Sequence, residues 1–119
     1  MRVSPCSCVE RCEKMMLVIA YVRKLCAPAV LRALHEAGVG GLTAYVVHGM
    51  SGEKSTFFYS GHPFEPAHLP ESVKIEVVCA EDMTDQIVAV VANEAKTGAP
   101  GDGIIAIQRV ERFMNIRGL

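Results

Sequence analysis

No uninterrupted apolar stretch in the chain approaches the roughly 20 residues that a membrane-crossing helix needs. The longest early run, Met15 to Val22, stops at Arg23 and Lys24, so no membrane insertion is expected. Charge of one sign is missing as well. Twelve Lys and Arg against 13 Asp and Glu leave a net charge of −1, and the basic residues are dispersed. The footprint that draws a protein to nucleic acid or to an anionic membrane is therefore not there. No secretory leader with a small-residue cleavage site is expected from the first residues, and the cysteines number five, an odd count. Together these features argue against a disulfide framework and for a reducing, cytoplasmic setting. A chain of 119 residues, half of them hydrophobic, suits one domain with one modest core.

Three of the cysteines, Cys6, Cys8 and Cys12, crowd into the first dozen residues, while Cys26 and Cys79 fall in segments that read as core or core edge. The C-x-C-x3-C run could hold a soft metal through thiolates, but it lacks a fourth nearby ligand. Residues 1–14 are therefore read as a flexible N-terminal extension, because the first strand opens directly at Met15 or Met16.

From that point the pattern alternates between strand and helix. Met16 to Val22 is rich in Leu, Val, Ile and Tyr and predicts a central strand. Pro28 suits a first helical turn; Val30, Leu31, Leu34 and Ala37 follow at helical spacing, and Gly38 supplies the stop. Leu42 to His48 predicts a second strand between glycines. Periodicity then disappears from Gly49 to Pro70, a long loop of the kind that is usually functional. Val73 to Cys79 predicts a third strand with one wet face. Met83, Ile87, Val90, Val91 and Ala95 mark a helix core stripe, with acidic residues near its start and Lys96 near its end. Ile104 to Ile107 predicts a fourth strand, and Val110 to Ile116 a short closing one. The order β-α-β-loop-β-α-glycine turn-β is the split β-α-β pattern of a ferredoxin-like α+β fold, βαββαβ, with an antiparallel sheet and two helices on one face.

Thr97-Gly-Ala-Pro-Gly-Asp-Gly103 is the most informative stretch. Glycines let backbone N–H groups approach an anion without side-chain obstruction, and such nests cradle phosphates. On composition alone a tight turn and a phosphate loop are both open. It is not a Walker A sequence, since no Gly-Lys-Ser/Thr follows and the turn comes after a helix. Asp102 has no His or Cys placed beside it by sequence and reads as a turn-former rather than a catalytic group.

Lys96 to Gly103 resembles the signature of the PII nitrogen-regulatory proteins, whose B-loop reads Thr-Gly-x-x-Gly-Asp-Gly. Ala37-Gly38-Val39-Gly40-Gly41-Leu42-Thr43 is similar to that family's turn before its second strand, and Val73-Lys74-Ile75-Glu76-Val77-Val78 to its third strand. The closing segment, Val110 to Arg117, is similar to its last motif. The resemblance covers residues 15–119, with a T-loop at about 49–70 and a B-loop at 97–103. It implies a non-enzymatic homotrimer that binds an adenine nucleotide, ADP, AMP or ATP, in clefts between subunits, and that regulates a target transporter or enzyme through the T-loop. Thr43, Glu76, Val78 and Thr97 would correspond to the adenine end. Gly98, Gly101, Asp102 and Gly103 would supply the phosphate loop, Gly49 the T-loop base and Arg117 a phosphate cation.

Departures from the family pattern carry expectations of their own. Asn115 stands where the family has a second arginine, and Ile104 where it has a lysine. Each such cation would contribute about 1.5–3 kcal/mol, so weak ATP binding or a preference for ADP, AMP or another small ligand is expected. Glu53 replaces a glutamine linked to 2-oxoglutarate, and Glu65 a uridylylated tyrosine, so neither form of regulation is expected. Phe57, Phe58 and Tyr59 could anchor the loop to a partner or fold back on the chain itself. The alternative function is a transition-metal protein of the PII and CutA type, with His48, His62 and His68 as ligands; solvated loop histidines are the simpler reading. His35 reads as a cation at a helix C-terminus or a surface residue.

Overall fold

The structure, a computed structural model, describes residues 14–50 and 65–119. Strand β1 (Met15–Val22) leads through a tight turn to helix α1 (Ala27–Glu36), and β2 (Thr43–His48) follows. The chain re-enters with a 3-10 turn at Pro66–His68 and the ten-residue β3 (Glu71–Ala80). A second 3-10 turn precedes helix α2 (Thr84–Ala95), and β4 (Gly103–Val110) completes the sheet. The strands lie in the order β2-β3-β1-β4 and every neighbouring pair is antiparallel. This is the ferredoxin-like α+β sandwich that the element order implies.

Local sequence explains most boundaries. Pro28 occupies the first turn of α1, where its missing N–H costs nothing. Gly38, at φ +93°, ends the helix. Its N–H reaches the carbonyl of His35 while that of Val39 reaches Leu34, the paired closure of a Schellman motif. His35 lies in the last turn. Neither helix has a side-chain hydrogen bond at its N-cap, so burial of their apolar faces carries their stability.

Alternation along the two central strands decides which face is covered. Val18, Ala20 and Val22 of β1 and Val73, Ile75, Val77 and Cys79 of β3 point to one side. There they form a single buried cluster with Val30 and Leu34 of α1 and Ile87, Val91 and Ala95 of α2. Both helices therefore share one face of the sheet. The opposite face carries Leu17, Ile19, Tyr21, Val78 and Tyr45, with Lys74 and Glu76 among them. The Lys74 ammonium lies 5.7 Å from the ring centroids of both Tyr21 and Tyr45 and 3.4 Å from Glu76.

Several boundaries differ from the sequence pattern, β2 by one residue, opening at Thr43 rather than Leu42, and others by more. β3 begins at Glu71 rather than Val73, and β4 extends from Gly103 to Val110 rather than stopping at Ile107. The added residues pair with neighbouring strands: Glu71 with His48, Gln108 with Leu17 and Arg109 with Met16. No closing strand forms at Val110 to Ile116. The chain there is irregular and ends in a 3-10 turn at Ile116–Gly118.

Candidate functional site

The glycine-rich turn between α2 and β4 is built around one carboxylate. Asp102 accepts from the backbone N–H of Thr97 at 2.8 Å and of Gly98 at 2.9 Å, and from the Thr97 hydroxyl. Arg23, at the end of β1, donates from Nε to the same carboxylate at 3.3 Å and from Nη2 to the Pro100 carbonyl at 2.8 Å. The Thr97 hydroxyl and N–H, then Gly98 and Arg23, hold the Asp102 carboxyl well below the usual carboxylate range. Asp102 is thus the turn-former that its setting suggests, and it acts by nucleating the loop. Thr97 supplies two of the bonds that do so.

Glycine is required at three points of this loop, for two different reasons. Gly98 and Gly101 adopt φ +89° and +94°, in the left-handed region. Gly103 adopts φ +122°, and a Cβ there would stand 1.9 Å from the Tyr21 carbonyl oxygen. Its absent side chain lets β4 enter the sheet beside β1, where Gly103 pairs with Val22.

The remaining nucleotide candidates lie elsewhere. Thr43 opens β2 and pairs with Glu76 of β3. Beyond that pair β2 ends while β3 continues, so among the described residues no strand neighbours Val78 on its β2 side, and it is 42% exposed. A cavity of about 80 Å³ adjoins this open edge, lined by Gly38, Gly40, Val77, Val78, Cys79 and Met83 among others. It is well below the roughly 300–1,000 Å³ of an ordinary ligand pocket. Sheet order separates the two groups: Thr43 lies on the β2 edge, whereas the glycine loop feeds β4 on the other edge, with β3 and β1 between them. At about 4.8 Å per strand spacing, β2 and β4 are some 14 Å apart. One chain therefore does not bring the predicted site residues together. Arg117 lies in the terminal 3-10 turn and is exposed.

The base of the long loop sits at the same end of the sheet as the glycine turn. Gly49 donates to the Pro70 carbonyl at 2.9 Å, so the two ends of the expected loop meet. Glu71 accepts from Lys24 at 2.9 Å and lies 3.3 Å from His48 Nε2. The Lys24 contact, ahead of that of His48, holds the Glu71 carboxyl below its ordinary value. Adjacent residues of the β1–α1 turn thus reach both loops, Arg23 the glycine turn and Lys24 the base of the long one. Sequence reasoning missed both cations, because nothing local links position 23 to position 102.

The metal reading gains nothing from this geometry. His48 is engaged by Glu71, and no group of three or more His, Cys, Asp or Glu able to hold a metal occurs among the described residues. His68 closes the Pro66–His68 turn. His62, Glu53, Phe57, Phe58, Tyr59 and the cysteines at 6, 8 and 12 lie outside the described residues. Cys79 is buried and Cys26 half-buried, as expected for core and core edge.

An antiparallel α+β sandwich with a glycine-rich loop organised around a carboxylate at one edge places the chain in the class of ferredoxin-like domains. Comparison with known proteins narrows the class. Residues 15–118 match the family model described as Nitrogen regulatory protein P-II, and the chain belongs to that family. It is 34% identical over 104 residues to the P-II protein of Rhizobium etli, covering 87% of this chain and 92% of that one. Identity and coverage are the same against the nitrogen regulatory protein GlnK of Escherichia coli K12. The crystal structure of Arabidopsis thaliana PII bound to citrate superposes with a TM-score of 0.69 at 26% identity, covering 88% of this chain and 82% of that one. Among the described residues, no helix is long and apolar enough to cross a membrane.

Proposed function

We propose that this member of the P-II family is a cytoplasmic, non-enzymatic sensor that binds an adenine nucleotide between the subunits of a homotrimer and signals through the loop at 49–70. The observation that carries the reading is the placement of the candidate residues on opposite edges of one sheet. Thr43, Glu76 and the open Val78 edge suit a base and ribose, while the loop at 97–103 suits phosphates. A neighbouring subunit joins the β2 edge of one chain to the β4 edge of the next, and makes a cleft that a single chain lacks. The uncovered sheet face, where Val78 and Tyr45 are 42% and 43% exposed, supports assembly of this kind. The related Arabidopsis thaliana PII structure is bound to citrate, a multiply charged anion, which supports an anionic ligand for this chain.

Nucleotide occupancy then shifts the balance between two states of the long loop, by as much as the ligand's affinity differs between them. That loop engages or releases a target transporter or enzyme. Ile104 and Asn115 stand where the family has cations, so affinity for ATP is low and ADP or AMP competes well.

Calorimetric titration with ATP, ADP and AMP, alone and with bicarbonate or 2-oxoglutarate, tests this. Saturable binding of at least one nucleotide is expected, and replacing Asp102 by Ala should weaken it by about tenfold or more, because the loop loses its central acceptor. Gly103 is unsuitable as a probe, since any side chain there collides with β1. No heat with any nucleotide would reject the proposal.

A further inference from the structure

Asp102 presents a difficulty for a phosphate loop, because a carboxylate at the centre of an anion site repels the anion it is meant to receive. Its oxygens also occupy the N–H groups of Thr97 and Gly98, and the Thr97 hydroxyl takes that of Ala99, so these backbone donors are already spent within the loop. Arg23 answers both problems. Its guanidinium lies against the loop at two points, Nε toward Asp102 at 3.3 Å and Nη2 on the Pro100 carbonyl at 2.8 Å. A Cβ built on Gly101 would stand 3.3 Å from that Nη2, so the cation runs directly beside the Gly101 backbone. The five N–H donors of an arginine exceed those two bonds, and the side chain remains 38% exposed.

We infer that Arg23 is a positioning and specificity-determining residue for the glycine loop: it cancels the charge of Asp102, holds the loop open toward Gly101, and sets how many phosphates the site tolerates. The inference rests on the nucleotide reading above. Arg23 contacts the loop directly at two points, so the charge balance there depends on it. Removing its charge should penalise each added phosphate in turn, whereas a merely structural loss should weaken all ligands alike.

The test is titration of the wild-type full chain and the variants Arg23→Gln, Arg23→Lys and Arg32→Gln with ATP, ADP, AMP and adenosine. Arg32→Gln removes the same charge from the exposed face of α1 and controls for net charge. Arg23→Gln should lose about tenfold for ATP, less for ADP, less again for AMP and nothing for adenosine. Arg23→Lys, which keeps charge but not the two-point contact, should recover part of the ATP loss. In the unliganded protein, amide exchange at Thr97 and Gly98 should speed up in Arg23→Gln and not in Arg32→Gln. Wild-type binding with an unchanged ATP-to-AMP preference in Arg23→Gln overturns the role of Arg23 alone, as does equal weakening of adenosine and ATP. Wild-type protein that binds none of the four overturns the nucleotide reading and this inference with it; exchange unchanged at Thr97 and Gly98 overturns the positioning role independently of any ligand.

Discussion

Gly98 and Gly103 both sit at positive φ, yet the same substitution should affect them differently. Around Gly98 nothing lies within 4 Å of a Cβ, so Gly98→Ala meets only the backbone penalty of the left-handed region, about 1–2 kcal/mol. Gly103→Ala adds a collision with the Tyr21 carbonyl and must displace β4 from β1. Its cost should exceed that of Gly98→Ala clearly, by a further ~1–3 kcal/mol, measured as the shift in urea midpoint at constant slope. Asp102 offers a second prediction at this scale. Its pKa is lowered in the folded protein, so its contribution is fully present above the ordinary aspartate range and is lost only as pH falls through the depressed value. A carboxyl chemical-shift titration should find Asp102 still ionised after the solvent-exposed aspartates have protonated. Asp102→Asn should flatten the decline of stability with acidification. A titration of Asp102 at the ordinary value would mean that the Thr97 and Gly98 bonds do not persist in solution.

At the scale of elements, stability rests on the single cluster between the helices and the covered sheet face. Leu34 and Ile87 are 0% and 1% exposed and come from different helices. Leu34→Ala or Ile87→Ala should each cost about 2–5 kcal/mol by chemical denaturation; a loss below 1 kcal/mol would show that the helices dock loosely. The base of the long loop behaves otherwise, because its ion pairs are exposed. Glu71→Gln frees both Lys24 and His48 and should leave the denaturation midpoint nearly unchanged, while amide exchange of Gly49, bonded to Pro70, becomes faster. The helices and the strand cores were readable from periodicity, because each buries one face. The ends of β3 and β4 were not, since Glu71, Ser72, Gln108 and Arg109 are polar and join the sheet through backbone pairing that leaves no hydrophobic signal. Val110 to Ile116 misled in the opposite direction: it is apolar enough for a strand, but among the described residues the sheet pairing stops at Val110, opposite Met15.

For the whole molecule, the prediction is one of assembly. Sedimentation of the purified chain should give three times its 12.9 kDa, and Ile19→Lys, a charge on the uncovered face of the central strand, should reduce the mass to that of one chain. A wild-type monomer would leave Thr43 and the glycine loop on opposite edges with no cleft between them, and would remove the support for an inter-subunit site.

The sequence by itself determined the element order, the apolar face of each helix and the glycine loop with its family signature, because these follow from local spacing and from residues whose backbone preferences act within a few positions. It also made Asp102 a turn-former, since its partners Thr97 and Gly98 are neighbours in the chain. Only the tertiary structure decided that Arg23 and Lys24, consecutive in sequence, reach Asp102 and Glu71, and that Gly103 exists to admit β4 beside the Tyr21 carbonyl. Those contacts span 79, 47 and about 80 positions. They arise because antiparallel pairing of β1 with both β3 and β4 gathers the β1–α1 turn, the base of the long loop and the glycine turn at one end of the sheet.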